Sequence, residues 1–170
     1  MQTTAPNPAD MQGPAILRPP GPGDVGWLIS SHGKVYAEDF AFSQDFELDI
    51  ARKVLNLYDN AEDLKVWIAE VDGRRVGSVA VSRRSEDMAF VNFLLVLNRY
   101  RGRGISTQLM LRVIECARQR RYKTLQLETY SCLTTARTLY RKLGFRLARS
   151  TSDVRKYGHR FEQEFWELEL

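Results

Sequence analysis

Residues 89–97 form an almost wholly apolar run that stops at Asn98, and a strand of that composition needs cover on both faces. The segment after it supplies one covering layer. Between residues 102 and 122, Ile105, Leu109, Val113 and Ala117 repeat at i+4 with Met110 and Ile114 alongside, while arginines take the remaining face. The spacing predicts a buried strand followed directly by an amphipathic, basic helix.

The flanking segments supply the other layers. Val25, Leu28 and Ile29, then Phe46, Ile50, Val54 and Leu57, recur at helical spacing and predict two helices between residues 24 and 60, with Asp45 placed to cap the second. Past Asn60 the period shortens: Val66, Ile68 and Val71, then Val76, Val79 and Val81, flank Asp72-Gly73 as a hairpin would. Residues 124–129 alternate as a strand, 134–143 form a short helix closed by Gly144, and 145–148 and 161–170 are terminal strands. Ile16 and Leu17 open the folded part as a short edge strand, because Pro19, Pro20 and Pro22 bar a central one. All six prolines lie in the first 22 residues, and residues 1–14 lack hydrophobic periodicity. A flexible tail over 1–14 and a single domain over 15–170 are expected. Strands and helices alternating in this way imply an α/β (α+β) domain around one mixed sheet.

With 170 residues, 44% hydrophobic, the chain is long enough for one real core. No apolar run approaches the ~18 residues that span a bilayer, and the first basic residue is Arg18, so a cytoplasmic protein without membrane contact is expected. Cys116 and Cys132 fit no metal-ligand spacing, and His32 and His159 lie far apart, so no metal and two free thiols are expected. The net charge of +4 is mild but unevenly placed, since residues 99–123 hold eight basic side chains and only Glu115 as an acid. That stretch faces an anion or is a solvated helix. A nucleic-acid-binding module is the alternative of a different class, but aromatics interleave there only at Tyr100 and Tyr122.

The junction of strand and basic helix carries the chemistry. A helix N-terminus has N–H groups without intrahelical partners, and Gly102 and Gly104, lacking Cβ atoms, let a pyrophosphate approach them. A dinucleotide fingerprint fails because Thr107 stands where the third glycine belongs, and a P-loop fails because Gly-Lys-Ser/Thr is absent.

Arg99-x-x-Gly102-x-Gly104 after an apolar strand, with Leu139-Tyr140-x-x-x-Gly144-Phe145 downstream, resembles the acetyl-CoA-binding signature of the GNAT acetyltransferase superfamily. Trp67-Ile68-Ala69-Glu70-x-Asp72-Gly73-x-x-Val76-Gly77 is similar to that family's first hairpin. Arg18-Pro19, Gly23-Asp24-x-Gly26-Trp27, His32-Gly33, Tyr36-Ala37-Glu38 and Phe165-Trp166-Glu167-Leu168 resemble the acetyltransferase domain often joined to MarR-type regulators, here without the regulator. The resemblance implies a GNAT-like fold, a mostly antiparallel sheet of about seven strands flanked by about four helices. It also implies acetyl transfer from acetyl-CoA to a primary amine, or, as a second reading, acyl-CoA binding without catalysis; a homodimer is left open.

By that resemblance the pyrophosphate rests on backbone N–H groups of Arg101, Gly102, Arg103, Gly104, Ile105 and Ser106, and the pantetheine follows Leu95, Val96 and Leu97, where the strand parts from its neighbour. Tyr140 matches the family tyrosine that protonates the departing thiolate; a phenol of pKa ~10 can serve a thiol of pKa ~8.5 in contact with it. Core packing is its alternative. Glu128 stands where some members carry a catalytic glutamate, and strand alternation puts it on one face with Gln126 and Tyr130. It is a general base or an ion-pair partner of an arginine, with Glu86, Asp87 and a water relay as other candidate bases. His32, Tyr36 and Glu38 fall in the segment that covers the acceptor site in the family.

Overall fold

The computed structural model describes residues 13–170, so the expected tail lies, for its first twelve residues, outside the described part. The elements run β1 (Ile16–Arg18), α1 (Asp24–Phe40), α2 (Gln44–Asn60), β2 (Lys65–Val71), β3 (Arg74–Arg83), β4 (Met88–Val96), α3 (Ile105–Gln119), β5 (Thr124–Tyr130), α4 (Thr134–Lys142), β6 (Arg146–Lys156) and β7 (His159–Glu169). One seven-stranded sheet has the order β1-β2-β3-β4-β5-β7-β6. Every neighbouring pair is antiparallel except β4–β5.

Strand alternation sends side chains to two layers. Val79 and Val81 of β3 join Leu109, Met110 and Val113 of α3 in the larger core, while Ala80 joins Leu28 of α1 and Val54 of α2. β4 changes phase midway. Ala89 and Val91 face the α3 core, but Phe93 packs with Leu28 and Val54, and Leu94 and Val96 return to the α3 side. The cause is a β-bulge: between the Ser78↔Leu95 and Ala80↔Asn92 pairs, Val79 alone opposes Phe93 and Leu94, and Phe93 takes φ +54. The Ser78 hydroxyl donates to the Phe93 carbonyl at 2.8 Å and holds the bulge. Gly77 is required beside it, since a Cβ there would stand 2.7 Å from the Leu95 carbonyl oxygen.

Three expectations are corrected. Ser43, not Asp45, is the N-cap residue of α2; Asp45 sits in the first turn, where its charge favours the helix dipole. α3 spans Ile105–Gln119 rather than 102–122, because Gly102 (φ +73) and Gly104 (φ +76) are left-handed before it, and Arg121 (φ +62) after it. The terminal strands are longer than 145–148 and 161–170 and form a hairpin about Tyr157 (φ 58) and Gly158 (φ 82). β6 is exposed almost throughout, so no apolar alternation marks it.

A buried carboxylate ties β1, β3 and α1 together. Asp24, 3% exposed, accepts from Arg18 Nη1 at 2.5 Å, Arg75 Nη1 at 3.2 Å and the Gly21 N–H at 2.7 Å, while Arg18 Nε also pairs with Glu70. The Arg18 bond is the main reason that the Asp24 pKa is lowered to about 2, against the opposing effect of burial. A carboxyl pKa below its unfolded value gives stability that is present above pH ~4 and lost as pH falls through 2. Asp24→Asn should therefore cost about 2 kcal/mol at neutral pH, and the gap from wild type should close between pH 4 and 2. Thermal melts across that range check it; a constant gap would assign the loss to packing.

Candidate active site

β4 and β5 pair only at Met88↔Thr124, Ala89↔Leu125 and Phe90↔Gln126. Beyond these rungs β4 stays on β3 as far as Val96 and β5 stays on β7 as far as Tyr130, so the two strands part. The gap opens into a cavity of about 420 Å³ walled by α1, α2, β4, the glycine loop, the start of α3, β5 and α4.

On the α3–α4 side, the strand end is locked before the loop begins. The Leu97 N–H donates to the Val76 carbonyl at 2.8 Å, and Arg101 donates from Nε to the Val96 carbonyl at 3.3 Å while pairing with Asp39 at 2.8 Å. Asn98 reaches the other oxygen of Asp39 at 2.8 Å. Gly104 is the N-cap of α3, no side chain caps the helix, and a Cβ on Gly102 or Gly104 would meet nothing within 4 Å. The first-turn residues Ile105, Ser106 and Thr107 line the cavity, as do Leu95, Val96, Arg101, Gly102 and Gly104. Leu97 packs instead on the core, and the Arg103 side chain turns to the Gly13 carbonyl at 3.2 Å and the Tyr100 ring, so Arg103 offers only its backbone.

Two polar groups in this half await a partner. Thr129 Oγ1 is buried in the cavity wall without a hydrogen bond. Tyr140, 7% exposed, packs near Phe145 and Trp166, and its hydroxyl has no bond among the described residues. Burial raises its pKa well above the usual tyrosine range, so it stays protonated and able to donate.

On the α1–α2 side, half-buried Glu128 accepts from Gln163 Nε2 at 2.7 Å, so its partner is an amide and not an arginine. Asp87 lies outside the cavity in a 2.8 Å pair with Lys123, and Glu86 is exposed outside it; of the three candidate carboxylates only Glu128 lines the wall. His32 and Tyr36 line it too. The His32 Nδ1 contacts the Leu28 carbonyl at 2.8 Å and so carries the proton, leaving Nε2 as an acceptor; burial pulls its pKa down to about 4 and keeps the ring neutral. Tyr36 stacks on Phe46 with centroids 4.2 Å apart. Glu38 is a correction: it is exposed on α1 and does not line the cavity. Its position two residues after Tyr36 turns it away on a helix, where i+3 and i+4 share a face.

Sequence reasoning passed over Lys53, Phe46, Phe90, Thr129 and Tyr130, all of which line the cavity. For Lys53 a signal existed, since Phe46, Ile50 and Lys53 are spaced four and three apart, placing a lysine on an inward stripe. Among the described residues no cluster of three metal-ligating side chains occurs, and both cysteines are free.

Known proteins share this architecture. The chain covers 91% of itself and 99% of a ribosomal-protein-alanine N-acetyltransferase from Brucella melitensis at TM-score 0.74 and 21% identity. It covers 93% of itself and 95% of yncA from Salmonella typhimurium, crystallised with its cofactor acetyl-CoA, at TM-score 0.74 and 17% identity. In sequence it is 35% identical over 127 residues to "Probable N-acetyltransferase camello" from Xenopus tropicalis, which is 74% of this chain and 58% of that one. The chain thus spans little more than half of that relative. The family model for the acetyltransferase (GNAT) family matches residues 32–145, from His32 in the cavity wall to the Phe145 that closes the Leu-Tyr-x-x-x-Gly-Phe motif. With that match over most of the chain, and with the parted strands and glycine loop in place, the chain belongs to the GNAT acetyltransferase family.

Proposed function

We propose that this chain is an acetyl-CoA-dependent N-acetyltransferase that passes the acetyl group to a primary amine by direct attack within the β4–β5 cavity. The observation that carries this reading is the juxtaposition, in one cavity, of uncapped helix donors at Gly104 with a protonated Tyr140 and an anionic wall residue, Glu128. The residues fit the cosubstrate: N–H groups of residues 102–106 suit a pyrophosphate, the Arg101 and Leu97 N–H groups being taken by the Asn98 and Val76 carbonyls; the β4 edge at Leu95 and Val96, past the last β5 rung, suits the pantetheine; and the orphaned Thr129 hydroxyl lacks only a polar partner. Acetyl-CoA supplies an activated acyl carbon and a thiolate leaving group.

In this reading Glu128 accepts the proton of the acceptor ammonium, directly or through one water, and Tyr140 donates to the departing sulfur. Backbone donors along the parted strand stabilise charge on the thioester oxygen. His32 and Tyr36 shape the acceptor side. The nucleic-acid alternative weakens because Arg101, Arg112, Arg120 and Lys123 of the basic stretch are each engaged by an acid of the chain itself. The likeness to acetyltransferase domains joined to MarR-type regulators and a cytoplasmic setting are part of the proposal; no helix among the described residues is long and apolar enough to cross a membrane.

Acetyl-CoA should raise the melting temperature of the wild type by selective binding to the native state, and Gly102→Glu or Gly104→Glu should abolish the shift. An undiminished shift in both would remove the cradle. Tyr140→Phe should keep acetyl-CoA affinity by calorimetry while kcat falls on the order of a hundredfold; wild-type kcat with chemistry rate-limiting would assign protonation elsewhere. Glu128→Gln should lower kcat/KM most near neutral pH, where the amine is protonated, and less at alkaline pH. A lowered melting temperature with an unchanged pH profile would make Glu128 a structural partner of Gln163.

A further inference from the structure

Two cations share one aromatic ring at the acceptor side of the cavity. Lys53 Nζ lies 5.4 Å and Arg84 Cζ 4.6 Å from the centroid of Phe90, and Lys53 is also 5.9 Å from that of Phe93. Each gains from the ring quadrupole, but like charges on one ring repel unless an anion joins them. Neither cation has an ion-pair partner among the described residues. Desolvation draws the Lys53 ammonium pKa down, Glu128 opposes that and Arg84 adds to it.

Lys53 and Glu128 line the same cavity, whose other lining cation, Arg101, is paired with Asp39, so its α1–α2 side presents one positive and one negative group to an occupant. The wall also carries aromatic rings: Tyr36 stacks on Phe46, and Tyr130 packs against Phe161 at 4.4 Å, so Tyr36, Phe46 and Tyr130 bring ring surface to the cavity. An occupant that satisfies all three features carries an amine, an anion a short distance from it, and an apolar group.

Resting on the acetyltransferase reading above, we infer that the acceptor is an α-amino acid with an aromatic or bulky apolar side chain. Its carboxylate is held by Lys53, its amine is presented to Glu128, and its side chain lies against Tyr36, Phe46 and Tyr130. Glu128 takes the ammonium proton, the amine nitrogen forms the amide bond to the acetyl carbon, and the carbon–sulfur bond breaks with a proton passing to sulfur. The products are an N-acetylamino acid and free CoA.

The test uses the full chain with acetyl-CoA, free-thiol release as the readout, and phenylalanine, phenylalanine amide, phenethylamine, aspartate and spermidine as acceptors. Phenylalanine should be preferred, and its kcat/KM should exceed that of phenethylamine. That ratio should fall about tenfold or more in Lys53→Met, the loss of one charge-assisted contact, and recover in part in Lys53→Arg. Equal use of phenethylamine, a preference for aspartate or spermidine, an unchanged ratio in Lys53→Met, or no turnover of any carboxylated amine by a chain that binds acetyl-CoA would each overturn the inference while leaving the cofactor assignment intact. Failure of wild type to bind acetyl-CoA would instead overturn the reading beneath it.

Discussion

The parting of β4 from β5 after Phe90 is the constraint on which the rest of the molecule depends. Parallel strands ordinarily run buried and paired, and a central strand that abandons its ladder leaves backbone polar groups to be satisfied otherwise. The bulge at Phe93 resolves the packing side of this problem. By advancing the side-chain phase one residue, it lets β4 serve the α1–α2 core with Phe93 and then return Leu94 and Val96 to the α3 core, without breaking its ladder with β3. Gly77 and the Ser78 hydroxyl make that local geometry possible, one by absence of bulk and the other by a bond.

Electrostatic roles divide along the same gap. On the α3–α4 side the functional groups are uncharged: backbone donors at the head of α3, the Thr129 hydroxyl and a Tyr140 kept protonated by burial. Arg101 is spent on Asp39 and on the Val96 carbonyl, so its part in this half is to fix the loop rather than to supply free charge. On the α1–α2 side the charges are retained and opposed, Glu128 against Lys53, beside a His32 held neutral. In the function proposed above, the oriented neutral donors are those offered to the anion-bearing cosubstrate, and the separated charges those offered to the acceptor.

The fold was legible where burial leaves a period in the sequence. Valines alternating about Asp72-Gly73 and the i+4 ladder from Ile105 to Ala117 are imprints of the two cores, and the glycines at 102 and 104 mark left-handed backbone at a helix start. Where burial is weak the period vanishes, as along β6, and its hairpin through Tyr157-Gly158 could be found only from its partner strand. The half of the cavity proposed for the cosubstrate was legible because it is contiguous, strand to loop to helix. The half proposed for the acceptor is assembled from α1, α2, β4 and β5, and residues such as Lys53 and Phe90 acquire meaning only when tertiary packing stacks one on the other. Glu38 shows the converse: sequence proximity to Tyr36 did not carry it to the same helix face.

The three-rung β4–β5 seam also has a mechanical consequence. The strands on either side of it, β1 to β4 and β5 to β7, are each stitched by antiparallel ladders, three of them hairpins between sequence neighbours. The seam alone joins the two blocks within the sheet, and it closes only after the chain has traversed the loop and α3. It is thus the line along which the two blocks can yield to one another. A molecule lying in the opening touches both blocks at once, and acts there as the rungs that the backbone itself leaves out.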